Sequence, residues 1–410
     1  MNGKEEQAGT AATNVVNDQT VTTITVNRQQ LEEKLAAAGL GAVVTIPVSD
    51  ASDVVISELN GEMVKSMENK QAVLEIKTPY GDYTLPAAQI NIASISRQFG
   101  SAVTLSDIKV SIRIGAPSAS SVKEAEQAAA QQALTLVAPA VEFTVEAVHE
   151  GNAVKVTDFH TYVERTIAVP DQADPSKITT GVVIDPDYGI RHVPTKVTKV
   201  DNKYYAQIKS LSNSMYSVIW NPLAFKDVEG HWAKDAVNDM GSRLVIDGVG
   251  NGMFKPDETI TRAEFAAVLV RGLGLKPAQG TAPFADVAAS DWYQGVVKAA
   301  YDYRLIDGFE DGGFHPEEKI TREQAVVILA RALTATQLEV KASSQNGGEL
   351  LKLFADGNQV SGWAKDSVQA GLQTGLMSGR SADQLAPQAN ITRAEVAALI
   401  QRMLQEAGLI

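Results

Sequence analysis

The chain contains no cysteine in 410 residues. That removes a disulfide framework and any thiolate metal site, and is compatible with an exported protein that avoids thiols. Positive charge is scarce: 36 lysines and arginines stand against 49 aspartates and glutamates, giving a net charge of -13 and a pI near 5.0. A nucleic-acid partner is therefore not expected, because its footprint is a basic face. Any anionic partner must be held in local basic pockets. No apolar run approaches the roughly 18 residues of a membrane span, so none is expected. The polar opening from Met1 to Val21 does not read as a signal peptide, so an exported form would have lost its leader or be a fragment. The sequence has no Gly-x-Ser-x-Gly elbow, no His-Glu-x-x-His and no phosphate loop, and its five histidines are scattered. Neither an enzyme nor a bound cofactor or metal is expected.

What is present is 44% hydrophobic and 21% charged, the composition of a globular protein. The length calls for more than one core. The expected fold class is α+β multidomain, with β-rich, sandwich-like modules followed by an all-α region. Residues 1–20 are polar and small and read as a disordered tail. Residues 21–115 alternate with period two, as in Leu74 and Ile76 against Glu75 and Lys77, and read as a β-rich module with a short helix at 29–38. Residues 116–135 read as a helical linker, with high helix propensity over 122–134. Residues 136–222 contain alternating runs, with turns at Glu150-Gly151-Asn152 and Asp201-Asn202, and read as a second, sandwich-like module.

From residue 223 to 410 the pattern repeats three times, over about 225–275, 284–333 and 354–404. Trp232, Trp292 and Trp363 are each followed 16 residues later by Gly248, Gly308 and Gly379, and 24 residues later by Pro256, Pro316 and Pro387. Arg262, Arg322 and Arg393 then follow the prolines by six. Shared offsets imply stacked supersecondary units, each a first helix running to the glycine loop, a proline turn and a second helix. Core packing accounts for at least part of each tryptophan ring, leaving an edge free to line a pocket.

Each second helix opens with a Thr-x-x-Glu/Gln capping box: Thr261 with Glu264, Thr321 with Gln324 and Thr392 with Glu395. Capping does not explain the arginine inside each box. A cation there faces the positive end of the helix dipole, at a cost of about 0.3 to 1 kcal/mol. One compensation is a bound carboxylate or phosphate at free helix-end N–H groups, gripped by the guanidinium fork. The other is a solvated or salt-bridged arginine, with Asp227, Asp286 or Asp356 as partner.

The series Phe-x-Asp-Val, Trp, Ile-Asp-Gly, Phe-x-Pro and Thr-Arg-Ala-Glu resembles three S-layer homology (SLH) repeats, the cell-wall anchoring modules of bacterial surface proteins. The resemblance covers roughly residues 223 to 405. It implies a pseudo-threefold helical spindle and non-covalent binding of a pyruvylated secondary cell-wall polysaccharide, carrying pyruvylated N-acetylmannosamine, in grooves between repeats. It also implies an extracellular location at the cell wall or S-layer of a Gram-positive bacterium, with further surface modules expected before residue 1. By that resemblance Arg262, Arg322 and Arg393 contact the pyruvyl carboxylate. Trp232, Trp292, Trp363, Asp227, Asp286, Asp356, Gly248 and Gly308 would shape the sugar sites.

Departures grade the sites. Repeat two places the extra acid Glu323 beside its arginine. Repeat three has Met377-Ser378-Gly379 for Ile-Asp-Gly and follows an insertion from Thr334 to Leu353, so its pocket is expected to be the most divergent. The β region is similar to the modules that precede SLH repeats in large surface proteins, which implies a spacer or display role. The alternative is a fragment of a wall-anchored polysaccharide hydrolase, with its catalytic module in or before the β-rich region. Calcium in the acidic loops is disfavoured, since Val249 and Phe309 occupy a position where an EF-hand-like loop needs an oxygen ligand.

Overall fold

A computed structural model describes residues 9–49, 51–185, 189–338, 340–341 and 346–410. The chain divides into a β-rich unit, Met1–Arg191 with Thr195–Trp220, and a helical unit, His192–Pro194 with Asn221–Ile410.

In the β-rich unit the period-two runs become strands of two mixed sheets. One sheet runs Gly9–Val16, Gln19–Val26, Val54–Asn60, Lys109–Gly115, Val141–His149, Met215–Trp220, Thr180–Asp185, Gly189–Val193. The other runs Thr195–Val200, Lys203–Ser212, Asp158–Ala168, Gly81–Pro86, Val73–Thr78, Val43–Pro47. Gln19–Val26 lies parallel to Val54–Asn60, and Val43–Pro47 parallel to Val73–Thr78. Each parallel pair is joined by a crossover containing a helix, Arg28–Ala38 or Gly61–Asn69.

This pairing corrects the expected division at residues 116–135. Lys109–Gly115 pairs with Val141–His149, and Gly81–Pro86 with Asp158–Ala168, so strands from both expected modules share both sheets. The linker helix exists, as Ala119–Gln131, but it connects strands of one unit. The expected disordered tail is also corrected from residue 9 onward. Gly9–Val16 and Gln19–Val26 form a hairpin whose turn residues Asn17 and Asp18 sit at φ 50° and 61°. Two positive φ values suit a two-residue hairpin turn, and Asn and Asp tolerate them. Residues 1–8 lie outside the described residues.

The two sheets meet through Tyr83, Phe143 and Tyr216, all fully buried with edge-to-face rings. Among them lies the fully buried Arg165, its guanidinium 4.7 Å from the Tyr216 ring centroid and 5.0 Å from that of Tyr83. It donates to the carbonyls of Val163 and Ser212 and to Asn213 Oδ1. Ring faces and oriented carbonyls thus stabilise a cation in this core. Burial pushes the Tyr83 hydroxyl up to about 12.

In the helical unit each repeat supplies a first helix (Lys234–Ser242, Gln294–Asp302, Lys365–Gln373) and a second helix (Arg262–Gly272, Arg322–Ala335, Arg393–Glu406). The first helices stop short of the loop glycines they were expected to reach. The chain turns out through Leu244, Arg304 and Gly375, at φ 63°, 57° and 73°. The insertion before repeat three holds a short helix, Gly347–Leu351; Glu339 and residues 342–345 within it lie outside the described residues.

The segments leading into the second helices close a three-membered ring. Ile260 N–H donates to the Ile391 carbonyl (3.2 Å), Ile391 to Ile320 (3.0 Å) and Ile320 to Ile260 (3.3 Å). Around this ring each second helix packs on the first helix of the next repeat, and repeat three packs back on repeat one. The stapling residues Ile260, Ile320 and Ile391 are at most 2% exposed.

Candidate functional site

All three capping boxes form, with the threonine hydroxyl accepting from the third helical N–H and the acid or amide accepting from the threonine N–H. The first two helical N–H groups are also taken. Arg262 and Ala263 donate to the carbonyls of Glu318 and Pro316, Arg322 and Glu323 to Ala389 and Pro387, and Arg393 and Ala394 to Glu258 and Pro256. The proline turn of the next repeat therefore satisfies the helix end. An anion held by free helix-end N–H groups, one of the two compensations open from sequence, is not available.

The arginines run in the same direction around the ring. Arg262 Nε donates to the Phe314 carbonyl of repeat two (2.8 Å), Arg322 Nε to the Leu385 carbonyl of repeat three (3.1 Å) and Arg393 Nε to the Phe254 carbonyl of repeat one (2.9 Å). Arg262 and Arg322 are each 6% exposed. Burial lowers the pKa of all three, that of Arg262 to about 10, so they remain protonated at neutral pH. Each is thus a joint between repeats as well as a candidate ligand cation. Sequence reasoning found no structural duty for it because its acceptor is a backbone atom of another repeat.

Three grooves result, each built by all three repeats. Arg262 faces Asp307, Gly308 and Phe309 of repeat two and Trp363 of repeat three. Arg322 faces Ser378, Gly379 and Arg380 of repeat three and Trp232 of repeat one. Arg393 faces Asp247, Gly248 and Val249 of repeat one and Trp292 of repeat two. The tryptophans are not core residues: Trp232, Trp292 and Trp363 are 67%, 62% and 60% exposed. The structure thus brings arginine, glycine and tryptophan together, but from different repeats.

The three aspartates take another place. Asp227 accepts from the N–H groups of Phe254 and Lys255, Asp286 from Phe314 and His315, and Asp356 from Leu385 and Ala386. Burial pushes these carboxyls up, but their backbone donors together outweigh it and hold them below the ordinary value. They brace the loop whose carbonyl receives the arginine, with Lys255, His315 and Ala386 held at φ 59°, 57° and 52°. None lines a groove. Glycine is required for closeness at Gly308, where a Cβ would stand 2.7 Å from the Phe284 ring and 2.9 Å from the Gly313 carbonyl.

Glu323, expected to disturb the anion site, is 3% exposed and accepts from the N–H and hydroxyl of Ser361. It holds Ser361, just before the turn that leads into the first helix of repeat three, and does not line a groove. The divergent loop of repeat three alters the groove of Arg322, whereas Arg393 faces the regular loop of repeat one. Sequence reasoning also missed Arg271, Arg331 and Arg402, each nine residues after a motif arginine and each lining a groove. Arg271 pairs with Asp247 and Arg331 with Asp307 (2.7 Å), while Arg402 donates to the carbonyls of Gly375 and Leu376. Their shared offset was the available signal.

Residues 224–266, 283–326 and 353–397 match the S-layer homology domain family model. The C-terminal region is three SLH domains. Similar stretches occur in an amylopullulanase of Thermoanaerobacterium thermosulfurigenes (33% identity, 48% of this chain, 10% of that protein) and exoglucanase XynX of Acetivibrio thermocellus (32%, 48%, 18%). Another lies in the surface-layer 125 kDa protein of Lysinibacillus sphaericus (33%, 44%, 15%). The chain spans less than a fifth of the length of each of these relatives, and the alignments cover the SLH region. The SLH domains assign the C-terminal region to cell-surface anchoring.

Proposed function

We propose that the helical unit fastens this chain to the bacterial wall by binding a pyruvylated secondary cell-wall polysaccharide, without chemical turnover. The observation that carries the reading is the groove itself: a mostly buried guanidinium opposite a glycine loop, with an exposed indole at the rim. A pyruvyl ketal offers a carboxylate for the guanidinium. The indole offers a flat apolar face for a sugar ring. Desolvation makes the cation worth more than an exposed ion pair, which contributes about 0 to 1 kcal/mol. A polymer with repeated epitopes could engage several grooves and gain avidity.

The hydrolase names of some relatives do not favour an enzymatic reading, because the similarity covers their SLH segments and at most a fifth of their length. For the β-rich unit we propose a spacer or display role. Co-sedimentation of the full chain with purified wall sacculi, before and after the secondary polymer is stripped, tests the anchoring. Retention lost on stripping is the expected outcome; retention that survives overturns the polysaccharide assignment.

A further inference from the structure

The grooves differ at two equivalent positions: the third helical residue of the capping box and the residue after the loop glycine. Around Arg262 these are Gln324 and Phe309, around Arg393 Glu264 and Val249, and around Arg322 Glu395 and Arg380. Gln324 Oε1 accepts from Thr321 N–H (3.0 Å) and completes its box without bringing a charge. Arg262 is held from behind by the Phe314 carbonyl and lies over the rings of Phe309 and Phe314, at 4.6 and 4.8 Å. Its two Nη groups have no acceptor among the described residues.

Arg322 is the opposite case. Nη1 donates to Glu395 Oε1 (2.7 Å), Nη2 to the Ser378 carbonyl (2.7 Å) and Nε to the Leu385 carbonyl. Arg380 grips the same carboxylate through Nε (3.0 Å) and Nη2 (2.8 Å). A ligand carboxylate entering here meets a guanidinium with every nitrogen engaged and a resident carboxylate in its place. Arg393 is intermediate: Nη2 donates to the Asp247 carbonyl (2.7 Å), and the charge of Glu264 opposes an incoming anion.

We propose that the Arg262 groove, where Gln324 stands in place of a capping glutamate and the lining acid Asp307 is paired with Arg331, is the principal acidic-sugar site, and that Glu395 with Arg380 closes the Arg322 groove to carboxylates. The inference rests on the proposed carboxylate-bearing wall polysaccharide and names where on the spindle it is read. The three repeats then divide labour: repeats one and two present an available arginine to repeats two and three only if the capping residue beside it is neutral, so one amide sets the site.

The capping boxes supply the test, because both glutamate and glutamine already close a box in this fold. The full chain is titrated calorimetrically with the methyl glycoside of pyruvylated N-acetylmannosamine. Gln324→Glu keeps the cap and adds a carboxylate; the expected result is at least a tenfold loss of affinity, 1.4 kcal/mol. Glu395→Gln is expected to raise the stoichiometry by one site. Undiminished binding by the Gln324→Glu variant overturns the principal-site assignment, and unchanged stoichiometry in Glu395→Gln overturns the closed groove. An unaltered chain that ignores the pyruvylated sugar yet sediments with walls overturns the carboxylate reading itself, and with it this inference.

Discussion

If Arg322 serves mainly as a structural joint, it must be energetically coupled to Glu395 in a way that Arg393 is not coupled to Glu264. A double-mutant cycle of Arg322→Ala with Glu395→Gln measures this. The pair is 2.7 Å apart, with side chains 7% and 13% exposed. Breaking a buried pair from one side costs about 3 to 5 kcal/mol. Arg380 also holds Glu395 and keeps part of that partner satisfied when Arg322 is lost. The expected coupling is therefore about 2 to 3 kcal/mol. For Arg393→Ala with Glu264→Gln, where the arginine donates to carbonyls and meets the acid only through space, about 0.5 kcal/mol is expected. Urea unfolding of the full chain, followed by tryptophan fluorescence, reads both cycles, since three of four tryptophans lie in the helical unit. Equal coupling in the two cycles, or less than about 0.5 kcal/mol in the first, refutes the assignment of Arg322 as a consumed cation.

Asp356→Asn replaces one of two carboxylate oxygens receiving Leu385 and Ala386 N–H. It should cost about 1.5 to 3 kcal/mol, read by calorimetry as a melting point lowered by roughly 3 to 12 °C. Because the folded Asp227, Asp286 and Asp356 carboxyls lie below their ordinary value, their contribution is present above the unfolded pKa of about 4 and is lost as pH falls through the folded values. Helical circular dichroism between pH 5 and 2 should therefore show the helical unit losing stability, with a shallower dependence in Asp356→Asn. Trp363→Ala removes an exposed ring and should change stability by less than about 0.5 kcal/mol while weakening retention on wall sacculi; a large loss of stability instead would restore the core-packing reading.

How much of this was legible in sequence depended on the range of the interaction. The capping boxes formed as read, because the partners lie three residues apart and the chemistry is local. The hairpin turns at Glu150-Gly151 and Asp201-Asn202 were legible for the same reason. Pairing of Lys109–Gly115 with Val141–His149 was not, since alternation tells which face of a strand is buried and nothing about its neighbour. The tryptophans were misplaced because an indole that recurs in register looks like core until its exposure is known. Arg322 was misjudged because the acid beside it in sequence, Glu323, projects away to Ser361, whereas the acid that matters, Glu395, is 73 residues on.

The cyclic hand-off explains why one short motif contains both a cap and a cation. Threonine and its acid or amide cap their own helix, Glu395 also reaching Arg322; arginine acts on the next repeat's loop, and the tryptophan at that loop's rim comes from the third. No repeat possesses a groove of its own. A change in the Phe-x-Asp brace of repeat two therefore acts on the groove of Arg262, and a change in repeat three's loop acts on that of Arg322. Closure through the Ile260, Ile320 and Ile391 ring makes the helical unit unlike an open solenoid, in which each repeat meets only its neighbours and ends need separate caps. Arg380, from the divergent loop of repeat three, and the capping Glu395 together tie Arg322 into a joint between repeats. The same pair beside Arg262, with a glutamate in place of Gln324, would occupy the motif guanidinium whose Nη groups have no acceptor among the described residues and whose groove is lined by an uncharged capping residue.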